Sequence, residues 1–408
     1  MATAWSRFRP IVSAWWQRPN LWLLLAVCGL LLYARRPDAF HNPQFWAEDG
    51  YFFERNHVVG ATAIIQPYNG YLHLVPRLIA AVAGYADPAW IPACYVGAAF
   101  LLTLWVAAYT QSQRLHFRAA AGVALAVVLV PDCPDVLLNL PNLQSILGVG
   151  LLLLLISDDP DSPARLIHDV AVVVLLGLTG PFIIAFFPLF AWRAWKRRHR
   201  PASPSIALAA LAAVCAVIQT WMIITHPLPP EADPTIDAAW IFAVPGARLA
   251  GSLFAGAFVL KSTSVPVLVL LSAVTLIGAH RLAKHLRHLQ TEFYVLLAGG
   301  LFLLLSVLFR GRHVLTELAG AGYGSRYFYA PQLVLLWLLV ESAAGPSRPA
   351  WIARSLLVAA LCTNLPRLRE PALTDLHWEN YAPRIQANEN VVIPINPEGW
   401  SIPLHPGK

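Results

Sequence analysis

Two adjacent carboxylates, Glu48 and Asp49, open the chemistry of this chain, in the aromatic stretch 41–54 just beyond the first hydrophobic run. A carboxylate partly desolvated beside a membrane gains basicity and can take a proton from a hydroxyl near neutral pH. Phe45, Trp46, Tyr51, Phe52 and Phe53 around the pair offer a dry wall on which a sugar ring could lie. The plainer use of Asp49 or Glu48 is to cap a short helix. Arg326 is the matching cation, entering a span from the glycine-rich segment 320–329 between tyrosines. Guanidinium presents paired planar donors to phosphate oxygens, and glycine lets backbone approach a ligand. Arg77 carries the same expectation on less support, and Arg310, Arg312 and His313 form a further basic group. Snorkelling beside an aromatic belt is the competing use of such arginines. The turn 131–144 gathers Asp132, Asp135, Asn139, Asn142 and Gln144 between two short apolar runs. Buried amides need partners, so these groups either cap helix ends or line a wet cavity. Tyr68, Tyr71 and His73 are further cavity candidates.

The elements that must position these groups are membrane elements. Of 408 residues 57% are hydrophobic and only 12% charged, against about a quarter charged in soluble domains. Runs such as Ser205–Thr225 and 291–309 are long and apolar enough to cross a bilayer. The expected fold is an all-α polytopic membrane protein of about ten transmembrane helices, uncertain by two. A single helical domain spans 1–363, and a proline-rich tail, 364–408, caps the outer face as irregular chain or short strand. Four apolar runs, 119–131, 143–157, 166–179 and 181–190, are short and must be shielded by protein or sit over thinned bilayer. The glycine-rich run 236–260, broken by Pro245 and Arg248, is read as interfacial or re-entrant rather than spanning. The loop 35–87 is too long for a mere connection. Its second half, 72–84, reads as a short interfacial helix.

Basic clusters at 114–118, 192–200, 281–287 and 348–354 mark the cytoplasmic side by the positive-inside rule. The N-terminal Arg7, Arg9 and Arg18 precede an uncleaved first span, which puts the N-terminus inside and loop 35–87 outside. The expected location is a bacterial inner (plasma) membrane. These clusters also explain the net charge of +7 without nucleic acid as partner. Five scattered cysteines without a C-x-x-C pair give no disulfide framework or zinc site. No Walker lysine, dinucleotide glycine pattern or H-E-x-x-H is present. Without a large soluble domain for a nucleotide sugar, a sugar donor would have to come from the membrane.

The segments Trp46-Ala-Glu-Asp-Gly50, Gly70-Tyr-Leu-His-Leu-Val-Pro-Arg77 and Ser325-Arg-Tyr327, set among short spans and a long first outer loop, resemble the C superfamily of glycosyltransferases, GT-C. Those polytopic enzymes use polyprenyl-phosphate-linked sugars on the extracytoplasmic face. The resemblance implies Asp49 as the base, with Glu48 as the other candidate. It implies Arg326, with Arg77, on the departing phosphate, and inversion at the anomeric carbon. Trp46, Tyr71, His73, Asn142, Gln144 and Tyr327 would then contact substrate. The acceptor is a glycan, lipid or protein, since the chain lacks the large outer domain of better-known members. A divalent cation bridging Asp49 and the phosphate is left open, with no ligand set in the sequence. A transporter or lipid flippase of envelope components is the rival reading, although the candidate charges gather at one face rather than mid-membrane. A structural subunit of an envelope complex is the third.

Overall fold

Long runs of Leu, Ala and Val with few polar breaks fold as helices, because in lipid every backbone N–H and C=O must be satisfied within its own segment. The computed structural model describes residues 20–200, 203–228, 238–256, 263–320 and 324–405. The N-terminal arginines Arg7, Arg9 and Arg18, and residues 321–323 of the glycine-rich segment, lie outside the described residues. What is described is mostly helical, at 71%. Among the described residues five helices are long and apolar enough to cross a bilayer: Pro88–Tyr109, Ser205–Thr225, Ala238–Ala255, Val265–His285 and Arg287–Arg310. Shorter apolar helices lie among them, including Leu21–Arg35, Ala120–Leu129, Leu143–Ile156 and Tyr329–Ala343. The chain is a multi-pass helical membrane protein.

The helices join two polar faces, each closed by its own hydrogen bonds. On one, Arg114 grips Asp169 through both carboxylate oxygens at 2.8 and 2.6 Å, and Arg197 meets Asp159 at 2.6 Å. Glu341 accepts from the backbone N–H groups of Arg118 and Ala119, and His285 bonds Ser347. The four basic clusters at 114–118, 192–200, 281–287 and 348–354 thus share a face. On the other, Arg35 pairs with Glu370 at 3.1 Å, Arg248 with Asp132 at 2.9 Å, and Leu74 N–H donates to Leu178. Asp49 belongs to this second face.

The short helix Leu143–Ile156 has all 14 of its residues buried. At 1.5 Å per residue it is about 21 Å long, less than a hydrocarbon core, and protein shields it from lipid. Val265–His285, by contrast, has only 17% of its apolar window buried, so its surface is left for lipid.

The run around Pro245 forms the helix Ala238–Pro245 and continues as a π-helix, Gly246–Ala255. By length it could cross, yet its contacts stay on the Asp49 face. Arg248 reaches Asp132 and Gly320, and Asn364 and Thr363 donate to the carbonyls of Leu253 and Phe254. Gly246 packs so tightly on Val265–His285 that a Cβ would stand 2.0 Å from the Leu268 carbonyl oxygen.

Loop 35–87 carries the helix Glu48–Val59, a 3-10 turn Gly60–Ile65 and the helix Leu74–Ala83. The all-α expectation needs one addition, an antiparallel hairpin in the tail, Val391–Ile395 with Trp400–Leu404. Its buried residues alternate along Val391–Ile395, as one packed face of a strand requires. That face lies on Glu48–Val59, where a Cβ on Gly50 would come within 2.6 Å of Ile395 and 2.8 Å of Ile402. The absence of a side chain at position 50 therefore lets the hairpin seat against the helix that bears Asp49.

Candidate functional site: a cavity between Asp49 and Arg326

The hairpin fixes the entry to the Asp49 helix. Ala47 N–H donates to the Asn396 carbonyl at 2.5 Å, and Asn396 N–H donates to Phe45. Ala47 is held at φ +44°, a left-handed conformation that alanine adopts only when its surroundings impose it. In the first turn after it, Asp49 turns back and its Oδ2 accepts from the Trp46 N–H at 2.9 Å. One oxygen is thus tied to the chain just ahead of the helix, although no side chain caps the helix start. The other, Oδ1, is buried and makes no hydrogen bond of ordinary geometry to any described residue. Burial pushes the Asp49 carboxyl up to about 8; the backbone N–H groups of Trp46 and Leu140 oppose the rise, and Glu48 adds to it.

Asp49 lines a cavity of about 710 Å³ together with Trp46, Arg326 and Tyr327. Gly324, at φ +61°, turns the chain into the short 3-10 segment Ser325–Tyr327 that presents Arg326. The guanidinium stands between two carboxylates, Glu48 at 3.5 Å and Asp135 at 3.4 Å, and lies 5.2 Å from the centre of the Tyr327 ring. Burial alone would weaken its charge, but Tyr327, Glu48 and Asp135 outweigh that and hold its pKa above the ordinary value. Burial also raises the Asp135 carboxyl, against the pull of Arg326. Both ion pairs are longer than the 2.7–2.9 Å of a tight charge-assisted bond. Arg326 is thus charged, partly exposed and loosely held.

The structure brings Asp49, Trp46, Arg326 and Tyr327 to one wall, with Glu48 attached through Arg326. It does not bring the remaining candidates there. Tyr71 and His73 belong to an adjoining aromatic cluster: their rings stack at 4.6 Å, and His73 also meets Phe52 and Tyr68. Burial pulls His73 down to about 3, so it is neutral at physiological pH and packs rather than titrates. Arg310 lies over Tyr71, 5.7 Å from the ring centre, and donates to Asn69. Asn142 stands at the start of helix Leu143–Ile156 with its N–H on Asn139 Oδ1, and Gln144 packs against Gly180. Arg77 lies behind the Asp49 helix, its guanidinium 4.9 Å from the Tyr51 ring centre and 4.5 Å from that of Phe52.

Asp135 and Asn139 of the turn 131–144 line the cavity as well, one of the two uses open to that turn. Other parts of the wall were not visible in the sequence. Thr374, Asn396 and Glu398 of the tail also line the cavity, and nothing in a proline-rich tail announces that. A divalent cation does not fit these residues. No group of three His, Cys, Asp or Glu side chains gathers among the described residues, and Glu48 and Asp135 are both engaged by Arg326. The chain matches no protein-family profile, no curated protein and no solved structure.

Proposed function

We propose that this protein is a membrane glycosyltransferase of GT-C type, moving a sugar from a polyprenyl-phosphate-linked donor to an acceptor hydroxyl at the Asp49 face. The observation that carries the reading is a buried carboxyl, Asp49, and a loosely held guanidinium, Arg326, lining one cavity at the end of an apolar helical body. In a single in-line step the acceptor oxygen forms a bond to the anomeric carbon. The bond from that carbon to the phosphate oxygen breaks, its electron pair leaves with the polyprenyl phosphate, and configuration inverts. Asp49 Oδ1 takes the acceptor proton. Arg326 exchanges its long contacts with Glu48 and Asp135 for the phosphate, where charge builds in a site partly closed to water. A pKa of about 8 suits a base working near neutral pH.

The finer topology belongs to the same proposal. The basic face is cytoplasmic, the Asp49 face is extracytoplasmic in a bacterial inner membrane, and about ten helices cross. The segment Ala238–Ala255 stays in the outer half. The acceptor is a glycan, a lipid or a protein.

The test is sugar transfer by purified protein in liposomes containing a polyprenyl-phosphate sugar. Asp49→Asn, which keeps the oxygen that accepts from Trp46, should insert normally and transfer nothing. Wild-type transfer by that variant would remove Asp49 from the reaction. Donor translocation across the same liposomes without transfer would favour the flippase reading.

A further inference from the structure

Behind the cavity wall two buried polar groups, Asp49 and Arg77, each lie within electrostatic reach of a third, Tyr95. Asp49 Oδ1 and the Tyr95 hydroxyl make no hydrogen bond of ordinary geometry to any described residue, and the Arg77 guanidinium meets only the Tyr51 side chain, loosely. Asp49 is 5% exposed, Tyr95 2% and Arg77 1%. The Tyr95 ring packs on Phe45 at 5.2 Å. Arg77 stacks on Tyr51 and Phe52, the latter one turn along the helix from Asp49.

A buried cation without a counter-charge is costly, and so is each orphaned polar atom. Ring faces repay part of the first cost. A shared water, which makes two to four bonds to otherwise unsatisfied groups, repays the second.

We propose that Tyr95 and Arg77 form a buried relay behind Asp49, bridged by ordered water, that stabilises the Asp49 carboxylate once it is ionised. Arg77 then acts as a positioning residue through Asp49 and does not touch the donor phosphate. The relay rests on the base role proposed above, but its physical content stands apart from turnover. Other groups face the relay too: Glu48 acts on Asp49, Asp135 and Arg326 line the same cavity, Tyr51 and Arg55 face Arg77, and Cys94 faces Tyr95. All of these stay in place when the relay is cut.

Ionisation of Asp49 is read directly from the infrared carbonyl band of its protonated form, identified as the band that Asp49→Asn removes. Titrating this band in the full-length protein gives a midpoint without any assay of activity. Tyr95→Phe and Arg77→Gln should each move the midpoint up by about one pH unit, tenfold in the ionisation constant. Arg77→Lys, which keeps the charge, should move it less. Tyr95→Phe removes a single oxygen, so it carries the test alone should Arg77→Gln not fold. Unchanged midpoints in the folded variants overturn the relay. A shifted midpoint in a protein that transfers no sugar leaves the relay standing and sinks only the transferase reading.

Discussion

Asp49 holds two roles in one side chain, and the split between its oxygens decides how it responds to pH. Its folded pKa of about 8 lies above the ordinary 3.8, so between those values the folded protein binds a proton that the unfolded chain has released. Stability is therefore fully present below about pH 4, falls as pH rises towards 8, and levels off beyond. Asp49→Asn should flatten that contribution, raising the thermal midpoint relative to wild type at pH 8 and leaving it little changed at pH 4. An equal offset at both pH values would contradict a buried, largely protonated carboxyl. Transfer by the wild type should run the opposite way, rising with pH as the base ionises. The acidic pair and Arg326 could be read from the sequence because charge is rare in this chain. The bond from the Trp46 N–H to one Asp49 oxygen could not, since it depends on the angle at Ala47. Nor could the pairing of Arg326 with Asp135, 191 residues away, because sequence spacing carries no signal for contacts that packing alone creates. Arg77 shows the same limit: its residue type fits a phosphate, but its position behind Phe52 does not.

The element that most constrains the site is the tail hairpin, which clamps the start of the Asp49 helix and supplies part of the cavity wall. Gly50 is where it seats. Gly50→Val would force the new side chain into Ile395 and Ile402, an overpacking cost of about 1–3 kcal/mol. The variant should insert normally, lose most transfer activity and expose residues 391–404 to limited proteolysis. A tail as resistant as the wild type's would show that the hairpin does not depend on this contact. Prolines at 394, 397 and 403 argue against a long helix here, and that much was legible. The alternation that marks a strand is only five residues long on each side, too short to announce itself. Glycines, Pro245 and Arg248 mark the run around the π-helix Gly246–Ala255 as irregular in the sequence, but not as a π-helix. Its purpose needed coordinates: Arg248 ties Asp132 to Gly320, and so braces both the turn with Asp135 and the approach to Arg326.

Across the molecule, two opposed polar faces on an apolar body follow from composition and from the placement of lysines and arginines. Hydrophobic runs must become helices in lipid, so the helical class was readable at once. Span counting is less direct, because Ala120–Leu129 and Leu143–Ile156 are shorter than a bilayer core and owe their shielding to neighbouring helices. What the whole arrangement adds to its parts is the convergence of distant groups at one end of the bundle. If Asp49 and Arg326 serve one reaction there, their variants must separate binding from chemistry. The decisive measurement is donor binding alongside sugar transfer, made on the same preparations of Asp49→Asn and Arg326→Gln. Asp49→Asn should bind the polyprenyl-phosphate sugar as the wild type does and fail to transfer it. Arg326→Gln should bind it at least about tenfold more weakly, in keeping with loss of a charge-assisted contact, and transfer poorly. Wild-type binding and transfer by Arg326→Gln would contradict the shared site, whatever the behaviour of Asp49.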